Sequence, residues 1–228
     1  MGIKGLNQGV QLKSMGGVNS LYFTPDSACL LYLPLWWTEL TTSPIIDRMN
    51  SYSCNVLAAS WGYQGRTFDG TDDVILTTDT YDLAANDTIT MLAWIKTTSA
   101  LTQGIMAIGG TYMSIGLAAN RLLMAKNYDG SAKTGNSTYT VTDSTWTLVS
   151  GSFVDGAVSF FANGVAKDVG VSCTNEVEAG QTLRIGEGGL NVNAKFIGTI
   201  GEALIYTRTL STAEHLNIYE LTKWRYDL

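Results

Sequence analysis

The sequence is poor in charged residues, histidine and cysteine, and each shortage excludes a class of function. Charged residues make up 15% of the 228 positions, and the formal net charge is −6. An acidic chain without a basic stretch is a poor match for a phosphate backbone, so we do not expect nucleic acid as a partner. One histidine and three cysteines without C-x-x-C spacing form no zinc-binding pattern.

The three cysteines, Cys29, Cys54 and Cys173, cannot all pair within one chain because their number is odd. Cysteine outside disulfides is among the residue types most often buried, so we expect buried thiols. This expectation leaves the redox compartment of the protein open.

Long hydrophobic runs are also missing. The longest, ACLLYLPLWW, is far shorter than the ~20 residues that span a bilayer, and it contains Pro34. The first residues, MGIKGLNQGVQLKSMGG, have no apolar core of the kind that a signal peptide carries. We therefore expect neither membrane insertion nor a signal peptide.

Residues 1–28 differ from the rest of the chain. They are rich in glycine, asparagine and serine and have almost no periodic apolar pattern, which is typical of a flexible arm. Ordering glycine removes much backbone entropy, so an ordered arm needs a partner surface. We expect a neighbouring subunit to supply that surface, and residues 29–228 to form one domain.

What the sequence does contain is a series of short apolar stretches separated by glycine and asparagine. The pairs Asp155-Gly156 and Asn163-Gly164 are typical of two-residue type I′ turns and predict a three-stranded meander over residues 145–154, 157–162 and 165–171. The segment TITMLAWIKTT is apolar on both faces, which predicts a central strand. Its faces carry Ile89, Met91, Ala93 and Ile95 on one side and Leu92 and Trp94 on the other.

One helix is predicted near the C-terminus. Ser211 and Glu214 form an S-x-x-E capping box, and Leu216 and Tyr219 supply an apolar stripe. About a dozen short strands with one helix predict an all-β fold, an antiparallel β-sandwich with a short C-terminal helix and an extended N-terminal arm.

Five stretches carry a resemblance to a known family. In chain order they are LLYLPLWW, GRTFDGTDDVIL, TITMLAWIKTTS, WTLVSGSFVDGAVSFFANGVAK and FIGTIGEALIYTRTLSTAEHLNIYE. Together, between Leu30 and Tyr219, they resemble the laminin-G-like domains of the concanavalin A-like lectin/glucanase superfamily. The second stretch is similar to that family's F-D-G-x-D-D-x-[IV] signature, and the last to its F-x-G-x-I-D-E-x-x-I-Y-x-R-x-L-S-x-x-E unit. The resemblance implies a jelly roll of two antiparallel sheets.

The resemblance also implies a structural calcium ion, held by oxygens of the F-D-G loop and by an aspartate of the closing unit. The loop carries Asp69, Asp72 and Asp73, but Gly201 stands where the closing aspartate is expected. Glu202 remains, although the next position of a regular strand points to the opposite face. Two interpretations stay open: a calcium site near Asp69, Asp72 and Glu202, or aspartates that bond only turn amides.

Enzyme activity is not indicated. The glucanases of this superfamily place two glutamates and an aspartate at E-x-D-x-x-E spacing so that acid and nucleophile flank the sugar bond. No glutamate here has that spacing, and Glu176 and Glu178 have no aspartate between them. His215 follows the capping box, where we expect a surface position on the helix. We therefore expect a non-enzymatic protein.

Sugar binding is a separate question, because lectin-like sites use aromatic rings. Tyr112, Tyr128 and Tyr139 lie in or beside turns rich in glycine, asparagine and serine, so they are candidates for stacking on sugars. Packing in the core or at its rim is the alternative. The adjacent Trp36 and Trp37 point in opposite directions if their strand continues, one towards the core and one towards an edge or a partner.

Two functions remain. The first is a structural protein of a virion surface, such as a decoration, capsid-associated or fibre component, because LYLPLWW and GRTFDG also resemble virion-associated laminin-G-like proteins of tailed phages. Its partners would be other copies of itself or other virion subunits, joined through residues 1–28, and its location a virion surface or an extracellular assembly. The second is a secreted or cell-surface carbohydrate-binding module with glycans as partners.

Overall fold

The computed structural model describes residues 23–49, 51–83, 88–109, 113–128, 132–154, 156–173, 178–188 and 194–228. The strands of the first half are β1 (Cys29–Pro34), β2 (Ile45–Ile46), β3 (Ser53–Leu57), β4 (Ser60–Gly62), β5 (Gly65–Asp69), β6 (Val74–Leu83), β7 (Ile89–Lys96), β8 (Gln103–Ile108) and β9 (Met113–Leu117). Those of the second half are β10 (Leu122–Tyr128), β11 (Ala132–Thr140), β12 (Thr147–Val154), β13 (Ala157–Ala162), β14 (Val165–Ser172), β15 (Glu178–Ile185), β16 (Glu187–Gly188), β17 (Ala194–Lys195) and β18 (Ile197–Tyr206). The α-helix α1 spans Thr212–Thr222, and 3-10 turns span Thr38–Leu40, Ala119–Arg121 and Lys223–Tyr226. None of the helices in these ranges is long and apolar enough to cross a membrane.

Two antiparallel sheets of eight strands each form a sandwich. The front sheet has the order β14-β13-β12-β7-β18-β5-β4, and β1 pairs with β18 beside this path. The back sheet has the order β11-β10-β9-β8-β15-β6-β3-β2, and the short hairpin β16–β17 lies against β8. The predicted all-β antiparallel sandwich with one C-terminal helix is therefore confirmed.

Strand β7 is central in the front sheet, as its two apolar faces predicted. It lies between β12 and β18, and every side chain except Lys96 is buried. The inward side chains, Ile89, Met91, Ala93 and Ile95, pack into the core between the sheets, and the outward ones, Leu92 and Trp94, pack into a second apolar layer on the outer face.

The meander β12–β13–β14 follows the predicted ranges closely. Asn163 and Gly164 have φ values of 51° and 75°, and a type I′ turn requires positive φ at both positions. Gly156 also has a positive φ of 73°, whereas Asp155 lies outside the described residues. The first strand begins at Thr147, two positions later than predicted, and the third ends at Ser172.

Helix α1 covers the outer face of the front sheet and begins with the predicted capping box. The Ser211 hydroxyl accepts the backbone N–H of Glu214 at 3.2 Å, and the Glu214 carboxylate accepts the N–H of Ser211 at 2.7 Å. The predicted apolar stripe was wrong in part, since Leu216 is 45% exposed. The buried face is made by His215, Ile218 and Thr222.

His215 is therefore buried, not at the surface as predicted. It is 1% exposed, and its ring stacks on Phe161 with centroids 3.7 Å apart. The physical reason is the orientation in which helix α1 packs on the sheet: it turns His215 towards the sheet and Leu216 towards solvent. Burial lowers the pKa of His215 to about 4.

Residues 23–28, the described part of the predicted arm, pack on their own domain. The ring of Phe23 lies edge-on to Tyr32 with centroids 5.8 Å apart, and the Asp26 carboxylate forms an ion pair with Arg208. The oxygen of Ala28 accepts the N–H of Thr207 at 3.0 Å. These residues thus belong to the body of the domain, and residues 1–22 lie outside the described residues.

All three cysteines are buried, as predicted, and the described ranges contain no disulfide. Burial raises the pKa of Cys29 and of Cys54 to about 12. A thiol with so high a pKa carries almost no thiolate at neutral pH, so these two side chains act as small apolar groups of the core.

Candidate functional site

The three aspartates of GRTFDGTDDVIL lie together where β5 ends. The carboxylate oxygens of Asp69, Asp72 and Asp73 lie within 4.8 Å of one another. Asp69 accepts the N–H of Thr71 at 2.7 Å, and Asp73 accepts the N–H of Asp69, so two of them bond turn amides. Burial raises the pKa of Asp73, and the charges of Asp69 and Asp72 act in the same direction. The exposed carboxylates are hard oxygen ligands of the kind that calcium binds, so the donor type fits that ion.

Glu202, the third predicted calcium ligand, lies elsewhere. Along β18, Ile197 pairs with Asp69, whereas Glu202 pairs further on with Trp94. At a strand rise of about 3.3 Å per residue the two acidic positions are on the order of 16 Å apart. The structure therefore corrects the predicted ligand set: Asp73, not Glu202, stands beside Asp69 and Asp72. Calcium binding itself stays a prediction.

The strand β18 contains a β-bulge at the position where the closing motif departs from the family pattern. Its register with β7 shifts between Ile200 and Glu202, so Gly201 is an extra residue. A Cβ atom on Gly201 would lie 2.3 Å from the Tyr226 hydroxyl, and Glu202 also contacts Tyr226. Both positions thus face the outer layer, and the alternation expected for a regular strand does not hold here.

Of the three tyrosines predicted to stack on sugars, Tyr139 is the one whose side chain the structure describes. Tyr112 lies outside the described residues, as does the side chain of Tyr128. Tyr139 is half-buried against the core, and burial raises its pKa. Lys167 Nζ lies 4.9 Å from the centroid of the Tyr139 ring, so its outer face is partly covered.

His215 lies beside a serine hydroxyl, as a base does in a nucleophilic pair, but both side chains are buried. His215 Nε2 lies 3.3 Å from Ser152 Oγ, which in turn lies 2.9 Å from Thr90 Oγ1. All three side chains are buried beneath α1, with Ser152 4% exposed. This contact ties helix α1 to the front sheet.

A cleft on the outer side of the front sheet is lined by four aromatic side chains, Phe23, Tyr32, Trp36 and Trp37. We call it the tryptophan cleft; its volume is about 260 Å³. Its lining residues are Phe23, Thr24, Pro25, Tyr32, Pro34, Trp36, Trp37, Arg48, Met49 and Arg225. The rings of Trp36 and Trp37 meet edge to face, with centroids 6.1 Å apart. Both rings are half-buried, so each has a face or an edge left for a ligand.

Trp36 and Trp37 are held in place because β1 ends at Pro34. Proline has no N–H for the ladder, and Leu35 bonds back to the oxygen of Gly201 at 2.9 Å before the chain turns. Trp36 Nε1 donates to the Glu202 carboxylate at 3.1 Å. The guanidinium of Arg48 lies over the Trp37 ring, 3.9 Å from its centroid. Trp37 packs against the core between the sheets, as expected for one ring of the pair, and both rings line the cleft.

Behind the cleft lies a buried ion pair. Glu202 is fully buried and its carboxylate accepts hydrogen bonds from Arg225 Nη1 at 2.6 Å and from the Tyr32 hydroxyl at 3.1 Å. Burial raises the pKa of Glu202, and the charge of Arg225 opposes that shift. The Arg225 side chain is 5% exposed, and its Nε and Nη2 atoms are buried with no hydrogen-bond partner among the described residues.

The chain's six tryptophans gather around the tryptophan cleft. Each lines the cleft, contacts one of its residues, or contacts or belongs to the turn Lys223–Tyr226. They are Trp36, Trp37, Trp61, Trp94, Trp146 and Trp224. Sequence reasoning missed this gathering because the contacts are distant: the bond from Trp36 to Glu202 spans 166 positions. Two stretches could have indicated this cluster: the Trp36-Trp37 pair and the C-terminal KWRY. Nothing in their spacing indicated that they meet.

Comparisons with known proteins agree on the architecture. A family model described as "Concanavalin A-like lectin/glucanases superfamily" matches residues 69–214. No curated protein matches the sequence. Among solved structures, domain 4 of the extracellular GH43 arabinanase AbnA from Geobacillus stearothermophilus, in complex with arabinotriose, has a TM-score of 0.63 at 17% identity, over 84% of this chain and 98% of that one.

Two further structures are similar over part of their own length. The binding domain of botulinum neurotoxin serotype D/C VPI 5993 has a TM-score of 0.61 at 12% identity, over 85% of this chain and 52% of that one. The sialidase of Trypanosoma rangeli, in complex with sialic acid, has a TM-score of 0.63 at 14% identity, over 86% of this chain and 33% of that one. The chain thus spans about half of the toxin domain and a third of the sialidase. At these identities the likeness confirms the fold alone.

Proposed function

The chain belongs to the concanavalin A-like lectin/glucanases superfamily, and from this premise we propose that it is a non-catalytic carbohydrate-binding domain. The proposed binding site is the tryptophan cleft. The observation that carries the proposal is the juxtaposition of the Trp36 and Trp37 rings with Arg225, which has unused hydrogen-bond donors. Aromatic faces suit the apolar faces of sugar rings, and a few placed polar groups fix orientation in such sites.

The comparisons support a binding role for this fold. The arabinanase domain was solved with arabinotriose, and the toxin structure is a binding domain. The cleft volume of about 260 Å³ lies just below the roughly 300–1,000 Å³ of sites for drug-sized ligands. A short stretch of a glycan is the size of ligand that this volume suits.

The proposal excludes catalysis because the cleft offers no pair of carboxylates. Glycoside hydrolysis uses two carboxyl groups on either side of the scissile bond. Within the described ranges, the carboxylate packed behind the cleft is Glu202, and it is committed to Arg225 and Tyr32. We expect no release of reducing sugar from any glycan that the protein binds.

Binding of the purified chain to a glycan array, followed by titration calorimetry on the strongest ligand, tests the proposal. Replacing Trp36 by alanine should weaken binding at least about tenfold, or about 1.4 kcal/mol, because it removes a stacking surface. Tyr139→Leu is the matched control, since Tyr139 is the described tyrosine that the sequence predicted for sugar binding. It should leave the affinity unchanged.

Loss of binding in the Tyr139 variant, with full binding in the Trp36 variant, would place the site elsewhere and refute the cleft. Absence of binding to every glycan on the array would refute the carbohydrate function. Near-ultraviolet circular dichroism of each variant checks that the remaining tryptophans keep their packing, and so that the variant is folded.

A structural role in an assembly is the second candidate, and the edge of the front sheet favours it. Strand β14 ends the sheet, and its Val165 and Val169 are 51% and 74% exposed. An exposed edge strand is a template for pairing with another chain. In this arrangement the domain would lie on a virion surface or in an extracellular assembly, and residues 1–22 would join neighbouring copies.

Light scattering of the full chain and of a chain lacking residues 1–22 tests this second role. The deletion stops before Phe23 because that residue packs on its own domain. The assembly role predicts an oligomer for the full chain and a monomer for the deletion. The same number of subunits in both proteins would refute it.

A further inference from the structure

The tryptophan cleft has a charge opposite to that of the chain. The net charge of the protein is −6, yet the residues that line the cleft include two arginines, Arg48 and Arg225, and no carboxylate. A cleft lined by one sign of charge between apolar walls concentrates that field and favours ligands of the opposite sign. The surface of this protein as a whole repels anions, whereas the cleft attracts them.

Arg225, which lines this cleft, has two buried N–H donors without a partner. Its Nη1 is taken by Glu202 at 2.6 Å, whereas Nε and Nη2 have no hydrogen-bond partner among the described residues. These two N–H groups lie on the same edge of the planar guanidinium and point in the same direction, which is the geometry that binds both oxygens of a carboxylate. A buried donor without a partner destabilises a fold, so an acceptor supplied by a ligand would remove that penalty.

The plane of this guanidinium is fixed before any ligand arrives. Its Cζ lies 4.6 Å from the centroid of the Trp36 ring and 4.9 Å from that of the Trp224 ring. Since the side chain is 5% exposed and stacked in this way, little conformational entropy remains to be lost on binding. A donor pair held beside an aromatic ring matches a sugar that carries a carboxylate next to its ring.

Arg48 supplies a second, more exposed cation to the cleft. Its side chain is 46% exposed and lies over Trp37. Its nearest carboxylate, Glu39, is 3.9 Å away and itself 72% exposed, which makes a weak pair that a ligand can replace. Once a ligand has replaced Glu39, the formal charges of Glu202 (−1), Arg225 (+1) and Arg48 (+1) sum to +1, which one carboxylate neutralises. A doubly charged phosphate monoester would leave it at −1.

We infer that the tryptophan cleft selects glycans that contain carboxylate sugars, with the carboxylate bound by Nε and Nη2 of Arg225 and the sugar ring placed on Trp36. This inference rests on the proposed carbohydrate function and adds the class of ligand. Arg48 raises the affinity through its charge, and Glu202 occupies Nη1 of Arg225, so that Nε and Nη2 are left without a partner.

Titration calorimetry with matched pairs of probes tests the inference. Polygalacturonate, alginate and hyaluronan are each compared with the carboxyl-reduced polymer, which keeps the rings but loses the charge, and sialyllactose is compared with lactose. At least one acidic probe should bind about tenfold or more tightly than its neutral counterpart, because a charge-assisted fork is about twice as strong as neutral hydrogen bonds. Added salt should reduce this preference.

Two variants and a control assign the preference to the cleft. Arg225→Lys keeps a cation for Glu202 but lacks the planar fork, so it should remove most of the preference for the acidic probe. Arg48→Gln, at a half-exposed position, provides the test if the lysine variant does not fold; it should weaken binding of the acidic probe several-fold more than binding of the neutral probe. Lys167→Gln removes one exposed positive charge away from the cleft and should change neither affinity.

The outcomes separate the inference from the function on which it rests. Equal affinity for acidic and neutral probes, or binding of neutral array glycans alone, overturns the inference and leaves the carbohydrate function intact. A preference that Lys167→Gln reduces as much as Arg48→Gln also overturns it, since the attraction is then not local. Absence of binding to all acidic, neutral and array glycans overturns both.

Discussion

Replacing Gly201 should destabilise the protein, and this prediction tests why the chain departs from the family motif at this position. The motif implies an aspartate here, and the structure fills the corresponding space with Tyr226. A Cβ atom on Gly201 would lie 2.3 Å from the hydroxyl oxygen of Tyr226, 2.6 Å from its Cε1 and 2.7 Å from its Cζ. Real Cβ atoms essentially never approach other atoms within 3.0 Å, so either the ring or β18 must move.

The ring has little room to move, which sets the size of the effect. Tyr226 is 3% exposed and packs between Trp94 and Trp146, with ring centroids 4.4 and 4.5 Å away. Forcing extra atoms into so well packed a site costs about 1–3 kcal/mol, and we expect that range for Gly201→Ala. Gly201→Asp should cost about 1–3 kcal/mol more, because it also buries a carboxylate beside Glu202 without a partner.

Urea unfolding followed by tryptophan fluorescence measures both changes. Gly62→Ala is the matched control, since a Cβ atom there meets nothing closer than 3.4 Å, an ordinary contact. Tyr226→Ala, combined with Gly201→Ala, should destabilise less than the sum of the two single changes, because the first substitution opens the space that the second needs. Equal stability of the Gly201 and Gly62 variants, or strict additivity of the double variant, would refute the steric argument.

Three further predictions concern charge and chemistry. Burial lowers the pKa of His215 to about 4, so the histidine is protonated in the unfolded chain at a higher pH than in the folded protein. Acidification from about pH 6.5 to pH 4 should therefore remove about 3 kcal/mol from the free energy of unfolding. The loss is measured by urea unfolding as the difference between wild type and His215→Gln. A variant with the same pH dependence as wild type would contradict this. Thiol reagents should not label Cys29, Cys54 or Cys173 in the folded protein and should label all three in urea; rapid labelling of the folded protein would show an accessible thiol. If the acidic cluster binds calcium, the ion should raise the melting temperature of chelator-treated protein, and Asp73→Asn should abolish that rise; no uptake and no change in melting would end that interpretation.

Parts of the fold could be read from local sequence because local interactions decide them. The two apolar faces of β7 require burial on both sides, and Asn163-Gly164 accepts the positive φ of a tight hairpin more readily than most pairs. The capping box at Ser211 satisfies N–H groups within a single turn. Each of these signals involves side chains and backbone only a few positions apart.

Other elements carried no such signal. Strand β11 was not predicted, because its sequence AKTGNSTYT is small and polar, and its pairing with β10 rather than its own composition makes it a strand. The face of α1 that is buried depends on how the helix lies across the sheet. The bulge at Gly201 depends on Tyr226, which arrives from the C-terminal turn.

By itself, the amino-acid sequence determined the sandwich class, the central strand, the tight meander and the start of the helix, since alternation, turn chemistry and capping act over short separations. Only the tertiary structure decided which side chains share a site. It moved Glu202 away from the aspartates and into a buried pair with Arg225, and it brought Trp36 beside that pair. The physical reason is that contacts between distant positions are selected by packing of the whole sheet, and no local pattern encodes them.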